Sequence, residues 1–158
     1  MELLCIQSQE HPELPIAELK AVMDCENINA NISVVTEGLV ILKDIPDEEC
    51  DEYYKILTKR LGYTHEVHEV ISTSTIEDLN EDISSINWSE YIDETFAVRV
   101  KRFRSPIDTV ATERKAGSLT CFFTVLCNKT SCFFCKFGII CSTKSHLRRK
   151  DYIVLFGK

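Results

Sequence analysis

The sequence predicts an α+β fold, and three observations carry that expectation. Short β-like runs alternate with two helical apolar stripes in the first 71 residues. A glycine-centred turn joins two runs rich in β-branched residues. Only 5 Gly and 4 Pro interrupt 158 residues that are 44% hydrophobic, which excludes a collagen-like or linker-dominated chain and argues against wholesale disorder.

The elements follow in order. Leu3-Leu4-Cys5-Ile6-Gln7 is an apolar run bounded by polar residues and reads as a buried strand. Ile16, Leu19 and Met23 then fall on one helical stripe, and Pro15 suits the first turn, where a missing N–H costs nothing. Ile32–Val35 and Leu39–Leu42 flank Thr36-Glu37-Gly38, a hairpin signal in which Gly38 supplies positive φ. Asp47, Glu48 and Glu49 favour a helix N-terminus through the macrodipole. Cys50, Tyr53, Tyr54, Leu57 and Leu61 continue that helix on one face, and Gly62 is expected to end it. A strand around Glu66–Ile71 completes βαββαβ, the split-βαβ or ferredoxin-like arrangement.

Ser74-Thr75-Ile76-Glu77 has capping-box spacing, and Ile76, Leu79, Ile83 and Ile86 extend a helix expected to fray near Trp88. Thr95–Phe103 reads as a strand with Phe96, Val98 and Val100 on one face and Ala97, Arg99, Lys101 and Phe103 on the other. Ser105-Pro106 reads as the start of a helix running to about Leu119. Beyond Leu119 neither period holds cleanly until a strand-like Tyr152–Phe156.

The net charge of −7 hides a strong asymmetry. Residues 1–95 hold 22 Asp and Glu against 5 Lys and Arg, whereas residues 119–158 hold 7 Lys and Arg against 1 acid. An acidic body followed by a basic C-terminal third points to a polyanion-facing end. No run is long enough for a membrane span, and the N-terminus lacks a basic leader, so the expected location is the cytoplasm.

Cys5, Cys25 and Cys50 are scattered, but Cys121, Cys127, Cys132, Cys135 and Cys141 crowd into 21 residues. Cys132-Phe133-Phe134-Cys135 has a metal-gripping gap, which Cys127, Cys141 and His146 could complete. With phenylalanines filling the gap and no second Cys-x-x-Cys, a Cys-rich apolar stretch is the better account, and no metal ligand is assigned. His65 and His68 fall on opposite faces of their strand and cannot share a ligand. No Gly-x-Gly-x-x-Gly, Walker loop or Gly-x-Ser-x-Gly is present, so no catalytic residue and no cofactor is expected.

Arg99 and Lys101 on one strand face, with Arg102, Arg104 and Phe103 beside them, suit phosphate contacts and base stacking. On these residues alone, a strand face kept in water by its cations is the simpler account.

A resemblance changes that balance. Gln9-Glu10-His11-Pro12-Glu13-Leu14-Pro15 leading into Ala17-Glu18-Leu19 resembles the start of archaeal tRNA guanine-N2 methyltransferases. Phe96-Ala97-Val98-Arg99-Val100-Lys101-Arg102, followed by Glu113-Arg114-Lys115-Ala116-Gly117, resembles the strand and helix of their THUMP domain. The two motifs stand in the family's order and cover about residues 1–118. The resemblance implies a ferredoxin-like unit in 1–71, a partial THUMP unit in 72–118 and a divergent Cys-rich basic tail in 119–158. It implies a module that holds tRNA by its acceptor stem and 3′ end, with Arg99, Lys101, Arg102, Arg104 and Lys115 as RNA contacts. The family's S-adenosylmethionine-dependent domain and its Asp/Asn-Pro-Pro-Tyr/Phe motif are absent from these residues, so catalysis would need a separate methyltransferase chain. The departure at Leu119 is abrupt, as a shifted reading frame would produce. A metal-binding or protein-interaction tail and a non-functional gene remnant are the rival readings.

Overall fold

The structure is a computed structural model that describes residues 1–74, 78–88, 98, 100–101, 108–126, 141–142 and 151–156. The chain divides into two compact units, Met1–Val70 and Ile71–Lys158. The fold class is α+β, as expected.

In the first unit the elements are β1 (Leu3–Gln7), α1 (Leu14–Glu26), β2 (Asn31–Thr36), β3 (Leu39–Lys43), α2 (Asp47–Arg60) and β4 (Thr64–Ser74), the last continuing four residues past Val70. The strands lie in the order β2-β3-β1-β4 and every neighbouring pair is antiparallel. That order places β1 centrally, between β3 of the hairpin and β4, which follows α2, and is compatible with the ferredoxin-like unit expected.

The register explains the core. Cys5 stands opposite both Val40 and Val67, and Leu3 stands opposite Leu42, so these side chains share one sheet face. Leu19, Val22 and Met23 of α1 and Cys50, Tyr53 and Leu57 of α2 close over that face. Each buried Leu contributes roughly 1.5–3 kcal/mol relative to exposure. On the other face Leu4, opposite Ile41 and His68, is buried together with both partners. A strand buried on both faces needs a continuous apolar run, which is what Leu3–Ile6 provides.

Local signals place most boundaries. α1 ends at Asn27, which takes the left-handed conformation (φ 55°) and bonds back to the Met23 carbonyl. Asparagine tolerates that conformation better than most residues. The β2–β3 hairpin turns through Glu37-Gly38, where Gly38 has φ +81°. A Cβ there would also lie 2.8 Å from Gln9 Cγ and 3.1 Å from the Gln7 carbonyl oxygen. Gly62 does not play the part expected of it. α2 stops one residue earlier, at an extended Leu61 (φ −84°, ψ 117°).

The second unit holds α3 (Leu79–Ser85), α4 (Thr109–Leu126) and the antiparallel pair β5 (Cys141–Ser142) and β6 (Asp151–Phe156). α3 packs against α4. Leu79 and Ile83 are buried, and Trp88 folds back to donate its indole N–H to the Ile83 carbonyl at 2.8 Å. Three expectations are corrected here. Ser74 ends β4 rather than capping a helix, and Asp78 stands before α3; Thr75, Ile76 and Glu77 lie outside the described residues. α4 is capped by Asp108, whose carboxylate accepts the Ala111 N–H at 3.1 Å; Ser105 and Pro106 lie outside the described residues. α4 also continues past Leu119 through the Cys121–Leu126 run in which the periodicity had failed.

Candidate nucleic-acid interface

α4 sorts its side chains by rotation about the helix axis. At 3.6 residues per turn, Val110, Ala111, Arg114, Lys115 and Ser118 fall on one arc, and all five are exposed. Ala116 (1% exposed), Gly117 and Thr120 (3%) lie on the opposite, buried side. Glu113 belongs to that inner side, being three residues before Ala116 and seven before Thr120. The two cations of Glu113-Arg114-Lys115 therefore face water while the carboxylate turns in. Neither Arg114 nor Lys115 forms an ion pair with another described residue.

The inward carboxylate has a partner. Glu113 Oε1 accepts the backbone N–H of Val100 at 2.9 Å. Val98, two residues earlier, is 4% exposed, Val100 is half-buried and Lys101 is exposed. The in–out alternation expected of 98–101 is thus present at the three described positions. Val98, Val100 and Lys101 are nevertheless not part of a strand. Of the residues expected to contact RNA, Lys101 and Lys115 are exposed in this unit, while Arg99, Arg102 and Arg104 lie outside the described residues. Arg114 was not singled out as a contact from sequence. The signal that would have found it is the outward arc it shares with Lys115.

The first unit offers a different surface. Met1–Val70 carries fifteen Asp and Glu against five Lys and Arg. Its histidines do not cooperate: His65 is exposed, whereas His68 is buried with Nε2 3.0 Å from Glu66 Oε2. Its buried thiols are poor nucleophiles. Burial pushes the Cys5 thiol up to about 12, and burial, followed by the charge of Glu69, raises Cys50. Cys25 is exposed near the end of α1. Among the described residues no group of three or more His, Cys, Asp or Glu is arranged to hold a metal. Cys127, Cys132, Cys135 and His146 lie outside them, and of Cys141 only the backbone is described. No described helix is long and apolar enough to cross a membrane.

No protein-family model matches the chain. It is similar to a tRNA methyltransferase. The relative is the tRNA (guanine(10)-N2)-dimethyltransferase of Methanothermobacter thermautotrophicus, 39% identical over 119 residues. Those residues are 75% of this chain, which spans only about a third (34%) of the relative's length. The likeness ties the chain to part of a tRNA-modifying enzyme, and it covers much less than the whole of that enzyme.

Proposed function

We propose that the chain is a tRNA-binding module whose second unit is a partial THUMP domain. The observation that supports this reading best is the 39% identity over 75% of the chain to a tRNA (guanine(10)-N2)-dimethyltransferase. The charge pattern agrees with it. Arg99, Lys101, Arg102, Arg104 and Lys115 are the proposed phosphate contacts, and the outward arc of α4 adds Arg114. Phosphate contacts of this kind position a bound RNA without reading its sequence, and a THUMP-type module would hold the acceptor stem and 3′ end.

The same reading assigns these 158 residues no methyl transfer of their own. Aligning a guanine amine against a sulfonium can carry roughly 7–11 kcal/mol of a barrier, and RNA affinity does not replace that alignment. A separate methyltransferase chain is the partner that would supply it. The test is binding of a transcribed tRNA across a salt series, followed by incubation with labelled S-adenosylmethionine. The expected result is salt-dependent binding with no label incorporated. Affinity indifferent to salt would overturn the RNA reading, and N2-methylguanosine made by the purified chain would overturn the catalytic one.

A further inference from the structure

We infer that Glu113 is a positioning residue for the proposed RNA contact at Lys101: through the Val100 N–H it fixes the backbone that carries Lys101 while turning its own charge toward the inner side of α4. The inference rests on the tRNA-binding reading above. The chain just before Lys101 is anchored at two described positions, by the buried Val98 side chain and by the 2.9 Å bond from Val100 to Glu113. Lys101, which is exposed, immediately follows the second anchor. A cation on a fixed backbone gives up less freedom on meeting a phosphate than one on a loose segment, so anchoring raises affinity without any additional interaction.

Charge and geometry make opposite predictions for Glu113, and that makes the inference testable. A carboxylate beside Arg114 should, by Coulomb repulsion alone, weaken binding of a polyanion, so its removal should tighten binding. A carboxylate that anchors Val100 should behave in the reverse way. Glu113→Gln removes the charge and keeps the Oε1 acceptor. Glu113→Asp keeps the charge and shortens the reach by one methylene. Glu113→Ala removes both.

The experiment measures affinity of the full chain and its variants for a transcribed tRNA at several salt concentrations. The expected result is that the Gln variant binds as tightly as wild type, or tighter. The Asp and Ala variants should bind about three- to tenfold more weakly, with the log–log salt slope reduced by about 1. Should the Ala variant fail to fold, the Gln–Asp contrast decides alone. Wild-type binding with Asp and Ala variants equally tight, or with a Gln variant as weak as Asp, overturns the inference and leaves the tRNA-binding reading standing. Failure of the wild type to bind overturns that reading, and the positioning role with it.

Discussion

The Glu18 carboxylate of α1 accepts the backbone N–H of Gly62 at 2.8 Å and, through its second oxygen, that of Tyr63 at 2.9 Å. One side chain thereby fixes the turn between α2 and β4 to the neighbouring helix. The turn needs it, because α2 ends in an extended residue and leaves those two donors to be met from elsewhere. Tyr63 in turn passes its carbonyl to the Ser8 N–H at 2.8 Å, which ties the same turn to the residue after β1.

Glu18→Ala should therefore destabilise the first unit by about 1 kcal/mol, the size expected for charge-assisted bonds near the surface. Glu18→Gln keeps one acceptor and should cost about half as much. Urea unfolding followed by circular dichroism measures both, and an unchanged midpoint for the Ala variant would contradict the assignment.

Gly38 makes a second demand that can be separated into parts. Its φ of +81° disfavours any side chain, and a Cβ would meet Gln9 Cγ and the Gln7 carbonyl. Gly38→Ala should cost about 1–2 kcal/mol. Adding Gln9→Ala removes the side-chain clash but not the backbone strain, so the double variant should recover only part of that stability. Full recovery would show that the dihedral angle is not the constraint.

Much of the first unit was legible because its periods are clean. Leu3–Gln7 matched β1 residue for residue, and the Thr36-Glu37-Gly38 signal located the β2–β3 hairpin. Asp47, Glu48 and Glu49 marked the start of α2. What failed were choices between equivalent local signals. Ser74 with Glu77 and Ser105 with Pro106 are good capping patterns, yet α3 begins after Asp78 and α4 after Asp108. Local cap chemistry is a weak guide that tertiary context overrides, and α3 packs on α4. The role of Glu113 was not legible at all. Its partner is a backbone N–H thirteen residues away, and no periodicity encodes that pairing.

Alkaline pH should destabilise the first unit. The Cys5 thiol is raised from 9.0 to about 12 by burial, and Cys50 is raised by burial and Glu69. Tyr53 is raised by its hydrogen bond to Glu49. Each holds its proton more tightly when folded than when unfolded. Their contribution is complete below about pH 9 and disappears as pH rises toward about 12, because the unfolded chain ionises first. Unfolding free energy measured from about pH 8 upward should fall, and Cys5→Ala should make that fall shallower. In native protein Cys25 should react with a thiol reagent well before Cys5 or Cys50, as peptide mapping would show. Equal labelling of all three would contradict their placement.

The last prediction concerns where an RNA would land. The first unit, with fifteen acids against five bases, presents a field that repels a polyanion, so attraction must come from the second unit. Arg114 and Lys115 project together from α4 with no carboxylate on their arc among the described residues. Replacing both with Ala should weaken tRNA binding and lower the log–log salt slope by about 1–2, since a phosphate that is no longer neutralised keeps about one counterion. Lys55 and Lys59 of α2 supply the control: they too are exposed, but on a helix that begins Asp-Glu-Glu and carries Asp51 and Glu52. Their double replacement should leave the slope unchanged within error. Both double variants remove two positive charges, so any difference between them reports position rather than total charge. A larger slope change from the Lys55 and Lys59 pair would place the RNA on the acidic unit and refute the interface drawn on α4.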